Sequence, residues 1–190
     1  MVKKIGLYGG TFDPIHYAHL ILARDALEKL ELEQIIFVPA AISPHKLEQQ
    51  PTAAQVRVEM LRAAIEGEAR FMIDELELNR PPPSFTIDTI EEYKRRHSDL
   101  NICYLIGSDN LPGLKTWHRI DDLRQLVRFV VLDRAASPAH SEFQIIRRHI
   151  DISATELRKR VASGHSIRYL VPPAVEEVIS RRQLYQEPPE

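Results

Sequence analysis

A single cysteine among 190 residues excludes an intrachain disulfide framework, so a hydrophobic core has to hold the fold. Cys103 lies in the apolar run Ile102-Cys103-Tyr104-Leu105-Ile106, where a small buried hydrophobe is expected. Long apolar runs are missing as well. After Lys3-Lys4 only Ile5-Gly6-Leu7-Tyr8 precede two glycines, too short for a signal-peptide core, and no later run is long enough to span a membrane. A cytoplasmic location without membrane association is expected. Neither sign of charge is in excess: 25 Lys+Arg against 27 Asp+Glu leave a net charge of -2, which offers no global field to a long polyanion, and nucleic acid is not the expected partner. There is no internal repeat and no low-complexity stretch. What is present is the composition of an ordinary globular chain, 44% hydrophobic and 27% charged, long enough to bury a full core.

Short apolar runs alternate with longer amphipathic ones as far as about Arg134, the pattern of parallel strands joined by crossover helices. Strands are predicted over residues 4–8, 34–39, 70–76, 101–107 and 128–133, several of them rich in Ile, Val and Phe. A first helix is predicted over 17–30 with Leu20, Ile21, Leu27 and Leu30 facing the core. A second opens on the capping signature Thr52-x-x-Gln55 and turns Val56, Met60 and Ala64 inward. A third starts near Ser84 or Thr86, after a proline run, with Ile87, Ile90 and Tyr93 as its inner face. Residues 135–143 read as a surface loop, Ser153-x-x-Glu156 caps a helix ending near Gly164, and a last helix follows Pro172-Pro173.

The chemistry concentrates just after the first strand. Gly9-Gly10 permits close ligand approach, and the helix that follows offers unpaired amides to an anion. A glycine pair alone is usually only a tight turn. His16 and His19, three residues apart at the helix start, share a face, and the positive end of the helix dipole disfavours their protonation unless an anion binds there. Two histidines so placed suggest phosphate. A zinc site remains the alternative, with His45 as a third ligand.

The run from Gly9 to His19, Gly-Gly-Thr-Phe-Asp-Pro-Ile-His-Tyr-Ala-His, resembles the H-x-G-H signature of the nucleotidyltransferase α/β superfamily in its bacterial nicotinate-mononucleotide adenylyltransferase form. Four later blocks extend the resemblance over almost the whole chain. They are Pro44-His45-Lys46, the run from Pro83 to Thr89, Ile106-Gly107-Ser108-Asp109-Asn110 with Trp117, and the run from Ile152 to Arg158. The sequence departs from the family pattern at Ala18 (normally glycine), Ala154 (normally serine) and Phe85 (commonly tyrosine).

The resemblance implies a Rossmann-like, doubly wound parallel sheet with a small helical C-terminal part. One nucleotidyltransferase domain would span 1–190, with its core over 1–134 and the second phosphate-binding block within 150–185. It implies that ATP and nicotinate mononucleotide are joined to deamido-NAD with release of pyrophosphate, Mg2+ arriving with the ATP phosphates and no metal being held by the protein itself. His16, His19 and Arg158 would be catalytic. ATP would also meet Gly9, Gly10, Thr11, Phe12, Gly107, Asp109, Ile152, Ser153 and Thr155, and the mononucleotide would meet Thr11, Lys46, Ser84, Phe85, Thr86 and Trp117. Trp117 would stack on the pyridine ring, and the amides near Phe85 and Thr86 would take the nicotinate carboxylate. Two alternatives stay open. One is another transferase of the superfamily acting on phosphopantetheine or an alcohol phosphate, and the other a nucleotide-binding module without turnover. The oligomeric state is open too, a homo-oligomer included.

Overall fold

Short β-rich segments pair side by side in the computed structural model of the chain, which describes residues 3–41, 51–81, 84–135 and 141–186. The strands are β1 (Lys4–Gly10), β2 (Gln34–Pro39), β3 (Phe71–Ile73), β4 (Asn101–Gly107), β5 (Arg128–Asp133) and β6 (Gln144–Arg147). They form one sheet in the order β3-β2-β1-β4-β5-β6, and every pairing is parallel. The chain winds outward from β1 in one direction through β2 and β3 and in the other through β4, β5 and β6. The reversal between β1 and β4 is where such a sheet opens a crevice at its C-terminal edge.

Parallel strands cannot be joined by hairpins, so the connections cross over as helices. The crossovers are α1 (Tyr17–Lys29), α2 (Ala54–Ile65), α3 (Thr86–Arg96) and, after a 3₁₀ segment over Ser108–Thr116, α4 (Ile120–Leu126), while α5 (Ala154–Ala162) and α6 (Pro173–Arg181) follow β6. Strand periodicity sorts the apolar residues onto two faces. Tyr8, Ile35, Phe37, Leu105 and Val130 pack with Leu22 and Ala26 of α1, Met60 and Leu61 of α2, Leu157 of α5 and Val175 of α6. Leu7, Ile36, Ile102, Ile106 and Val131 face the other way, toward Ile87, Ile90 and Tyr93 of α3 and Leu123 of α4. Full burial of each such Leu or Ile stabilises the fold by roughly 1.5–3 kcal/mol. Cys103 is fully buried among them, as its apolar neighbours predict.

Several expectations shift. In α1 the buried stripe is Leu22, Ala23, Ala26, Leu27 and the following Leu30, while Leu20 and Ile21 are only half-buried; small alanines let the helix approach the sheet closely. In α2 the buried residues are Arg57, Val58, Met60 and Leu61, so Val56 and Ala64 sit at the margin. Thr52 does not cap α2: the N-cap is Ala53, and the Thr52 amide instead donates to Asp13 Oδ2 at 3.0 Å. Ser153 does cap α5, its hydroxyl accepting from the Glu156 amide at 3.2 Å, and Gly164 beyond its end takes φ 70°. The third strand is shorter than predicted, because Asp74 turns the chain by accepting from the Leu76 amide at 2.9 Å. Strand β6, just past the expected loop, has no run of apolar residues to announce it; of its four residues only Ile146 is buried. The 3₁₀ segment and α4 supply the crossover between the fourth and fifth predicted strands, for which no helix bounds are predicted from sequence.

Candidate active site

The C-terminal ends of β1 and β4 open into a cavity of about 920 Å³. Glycines line its floor at two places, the first against a buried ring and the second against an exposed side chain. A Cβ on Gly9 would stand 2.5 Å from the hydroxyl of the buried Tyr104, and one on Gly107 would stand 2.3 Å from Asp109 Oδ1. Backbone therefore comes to the cavity surface at the switch point of the sheet, where a ligand meets main-chain groups.

His16 is the N-cap residue of α1 and His19 lies in its first turn. The two imidazoles stack, with ring centroids 3.8 Å apart and planes 22° from parallel. Phe12 closes on His19 edge to face at 5.2 Å, and Tyr8 does so at 6.0 Å. Neither His16 Nδ1 nor His19 Nδ1, both buried, has a hydrogen-bond partner among the described residues. Burial is the main reason both rings stay neutral. It lowers His19 to about 3, helped by the positive charge of Arg134, and it takes His16 well below the usual histidine value, helped by His19 and then Arg134. The helix dipole invoked from sequence acts in the same direction.

The C-terminal part supplies cations to the same cavity. Arg158 of α5 lines it and donates through Nη1 to the carbonyl of Asp13 at 2.7 Å; Ser153 and Thr155 line it at the N-terminus of α5. Arg134, one residue past β5, also lines the cavity and donates to the carbonyl of Ile152. Neutral imidazoles, two guanidinium groups and a helix N-terminus make a donor set suited to an anion of several oxygens. No group of three or more His, Cys, Asp or Glu side chains suited to a metal ion occurs among the described residues, and His45 lies outside them.

The far end of the cavity is aromatic. Trp117 stands edge to face with Tyr104 at 6.1 Å and with Phe129 at 6.4 Å. Phe85, the N-cap of α3, packs on His118 with centroids 4.6 Å apart. Thr86 begins α3, and its hydroxyl lies 3.4 Å from that of Tyr104. Ser84 lines this end, but its hydroxyl donates to the Glu77 carbonyl at 3.2 Å. Glu77 itself lines the cavity, 6% exposed, accepting from the Thr89 hydroxyl at 2.8 Å. Burial pushes its carboxyl up to about 7, against the pull of the Thr89 bond and Arg80.

The cavity thus brings together Gly9, Gly10, Thr11, Phe12, His16 and His19 with Gly107, Asp109, Ser153, Thr155 and Arg158, and with Ser84, Phe85, Thr86 and Trp117. Ile152 is the exception: its side chain packs against the core, and its carbonyl accepts from Arg134, which lines the cavity. Lys46 lies outside the described residues. Sequence reasoning missed Glu77, Tyr104, His118 and Tyr185 as lining residues, named Asp13 only within the signature run, and left Arg134 open between phosphate binding and a surface pair. Arg134 directly follows a predicted strand on the ligand edge; Tyr185 carries no local signal.

Buried Arg57 joins the loops that frame this site. Its guanidinium donates to the carbonyls of Thr52 (2.8 Å), Thr11 (2.7 Å) and Ala40 (2.9 Å). It is 1% exposed, and desolvation lowers its pKa while the charge of Asp13 opposes that shift. The sequence leaves Arg57 open between a phosphate contact and a surface pair, the latter by default; it is instead a buried brace across three chain segments.

A parallel sheet open at its switch point, with glycines beneath paired histidines and arginines, is the layout of an α/β nucleotidyltransferase. The model of the cytidylyltransferase-like family matches residues 7–160. The probable nicotinate-nucleotide adenylyltransferase of Geobacillus thermodenitrificans is 43% identical over 185 residues, covering 96% of this chain and 86% of its own. That of Shouchella clausii is 41% identical over 190 residues, covering 97% of both. The chain belongs to the nicotinate-nucleotide adenylyltransferase branch of the cytidylyltransferase-like family. The Plasmodium falciparum nicotinic acid mononucleotide adenylyltransferase complexed with NaAD superposes with a TM-score of 0.81 at 22% identity, over 96% of this chain and 97% of that one, and so shares its fold.

Proposed function

We propose that this cavity joins ATP to nicotinate mononucleotide, giving nicotinate adenine dinucleotide and pyrophosphate. The observation that carries it is the meeting of His16, His19, Arg134 and Arg158 at one end of a cavity whose other end holds Trp117, Phe85 and Thr86. The first group suits a triphosphate, the second a flat aromatic acid. Ser84 and Thr86 at the start of α3 bring amides to that end, where the helix dipole favours a carboxylate.

The chemistry needs no covalent intermediate. A phosphate oxygen of the mononucleotide attacks the α-phosphorus of ATP in line, forming a new P–O bond as the bond from that phosphorus to the bridging oxygen of the β-phosphate breaks. The electron pair leaves with pyrophosphate. The nucleophile is already an anion, so no general base is required, and rate comes from positioning and from donors aimed at the developing charge. His16 and His19 each donate one hydrogen bond while neutral. Arg158 and Arg134 offset the charge that accumulates on the leaving group. Gly9, Gly10 and Thr11 let the phosphates approach the main chain, and Asp109 with Gly107 stands where ribose hydroxyls would be met. Lys46 is assigned to the mononucleotide phosphate on the sequence block alone. Magnesium enters as part of the substrate, held by the triphosphate and water and not by a carboxylate cage.

We read residues 1–190 as one catalytic domain and assign it to the cytoplasm, where ATP is supplied. Among the described residues no helix is long and apolar enough to cross a membrane. The test is pyrophosphate release from ATP, magnesium and nicotinate mononucleotide, with nicotinamide mononucleotide and phosphopantetheine run beside it. Fastest release is expected with the nicotinate compound. Faster release with phosphopantetheine, or none with any of the three, overturns the assignment.

A further inference from the structure

After α6 the chain reverses sharply, and two non-glycine residues, Gln183 at φ 51° and Tyr185 at φ 61°, adopt left-handed backbone. L side chains disfavour that region, so two such residues within three positions call for something that holds them. Part of the hold is local: the Leu184 amide donates to the Ile179 carbonyl at 3.0 Å, and Leu184 packs against the core. The rest is remote. The phenol of Tyr185 lines the cavity and donates to Asp13 Oδ1 at 2.5 Å, across 172 positions of sequence.

Asp13 is buried and fully engaged. Oδ1 takes the Tyr185 hydroxyl, Oδ2 takes the Thr52 amide at 3.0 Å, and its main-chain oxygen takes Arg158 Nη1 at 2.7 Å. Burial and then the charge of Asp13 push the Tyr185 phenol far above its ordinary value, so it keeps its proton and stays a donor. One residue of the loop between β1 and α1 is thereby the shared reference for a phosphate-facing arginine of α5 and for the end of the chain. The same loop continues three residues on into His16.

We propose that Tyr185 is a positioning residue for adenylyl transfer: by fixing the Asp13 carboxylate it sets where the Asp13 carbonyl holds Arg158, and so where that guanidinium meets the nucleotide phosphates. A guanidinium carries its donors in a rigid planar fork, so anchoring one nitrogen orients the remaining donors. The proposal rests on the phosphate-binding reading of Arg158. Without the phenol, the Asp13 carboxylate keeps the Thr52 amide as its hydrogen-bond donor and the charge of Arg57 nearby, but Oδ1 loses its donor and the loop gains freedom at the point where Arg158 is anchored.

The experiment is calorimetric titration with inorganic pyrophosphate in magnesium buffer, beside the turnover assay, on the unmutated chain, Tyr185→Phe, Arg158→Ala and the double variant. Tyr185→Phe keeps the ring and its packing, so the melting temperature is expected to move by only a few degrees. Its pyrophosphate affinity is expected to fall about fivefold, the scale of one hydrogen bond. Turnover is expected to fall about tenfold through misplacement of a charge-stabilising group. In the Arg158→Ala background the same substitution is expected to change neither quantity by more than about twofold, because the two residues act in series. Asp13→Asn serves as a second variant and is expected to show the same coupling to Arg158. Unchanged affinity and turnover in Tyr185→Phe overturn the proposal, as does an equal loss with and without Arg158, which a merely structural tie would give. An unmutated chain with no measurable affinity for pyrophosphate overturns it as well. Coupled affinities in a chain that does not use nicotinate mononucleotide support Tyr185 and count only against the substrate assignment.

Discussion

His16 and His19 stack face to face at 3.8 Å between ring centroids, which places two imidazoles where only one could easily be charged. Their folded pKa values lie below the unfolded value of 6.5, about 3 for His19. Below pH 6.5 the unfolded chain therefore binds protons that the folded chain does not. Stability contributed by the neutral pair is complete above pH 6.5 and is lost as pH falls toward 3. His19→Asn removes one titrating group at similar size. The melting temperature of the unmutated chain is expected to drop more steeply than that of His19→Asn between pH 6.5 and pH 4. Parallel profiles would show that His19 titrates normally.

Catalysis offers a separate test of His19. With the ring removed, a donor to the developing phosphate charge is lost while most of the fold remains, so His19→Ala is expected to lower turnover about 100-fold or more. Steady-state pyrophosphate release measures it, and near-normal turnover would remove His19 from the transition state.

Trp117 should act on binding more than on chemistry. It is half-buried at the aromatic end of the cavity and packs edge to face on Tyr104 and Phe129. Trp117→Ala is expected to raise KM for the mononucleotide about tenfold, the scale of one lost stacking partner, and to leave KM for ATP within about twofold. Equal effects on both substrates would point to general damage of the site.

Glu77 titrates in the opposite sense to the histidines. Its folded pKa is raised to about 7 from the ordinary carboxyl value of 4.5. The protonated form is favoured by the fold, so its contribution is complete below pH 4.5 and is lost as pH rises through 7. Glu77→Gln keeps an oxygen for the Thr89 hydroxyl and removes the charge. It is expected to match the unmutated chain at pH 4.5 and to be more stable at pH 8 by roughly 1–3 kcal/mol. Chemical denaturation at the two pH values decides it, and a variant less stable at pH 8 would show that the carboxylate is compensated there.

The sequence by itself determined the elements with strong local signals. The runs of Ile, Val and Phe at 34–39, 101–107 and 128–133 became strands with those bounds, because a strand buried on both faces is written as continuous apolar residues. Ser153-x-x-Glu156 became the cap of α5, since that contact lies within one turn of chain. The paired histidines, the glycines at 9, 10 and 107, and the aromatic block around Phe85 and Trp117 were legible as short motifs and converge on one cavity.

Tertiary structure alone decided the rest. Thr52 carries the signature of a cap, yet the N-cap falls one residue later at Ala53 and the Thr52 amide donates to the buried Asp13 carboxylate of another segment. Arg57 reads as a surface charge on an amphipathic helix, but its long side chain reaches three carbonyls that meet only after folding. Strand β6 exists because β5 presents an open edge to pair with, not because its own residues demand it. Tyr185 and Asp13 are far apart in sequence, and no periodicity links them. Local chemistry writes helices, strands and caps within a few residues of chain. Contacts between distant segments depend on which surfaces the packed sheet brings together, and there a residue's neighbours, not its type, set its role.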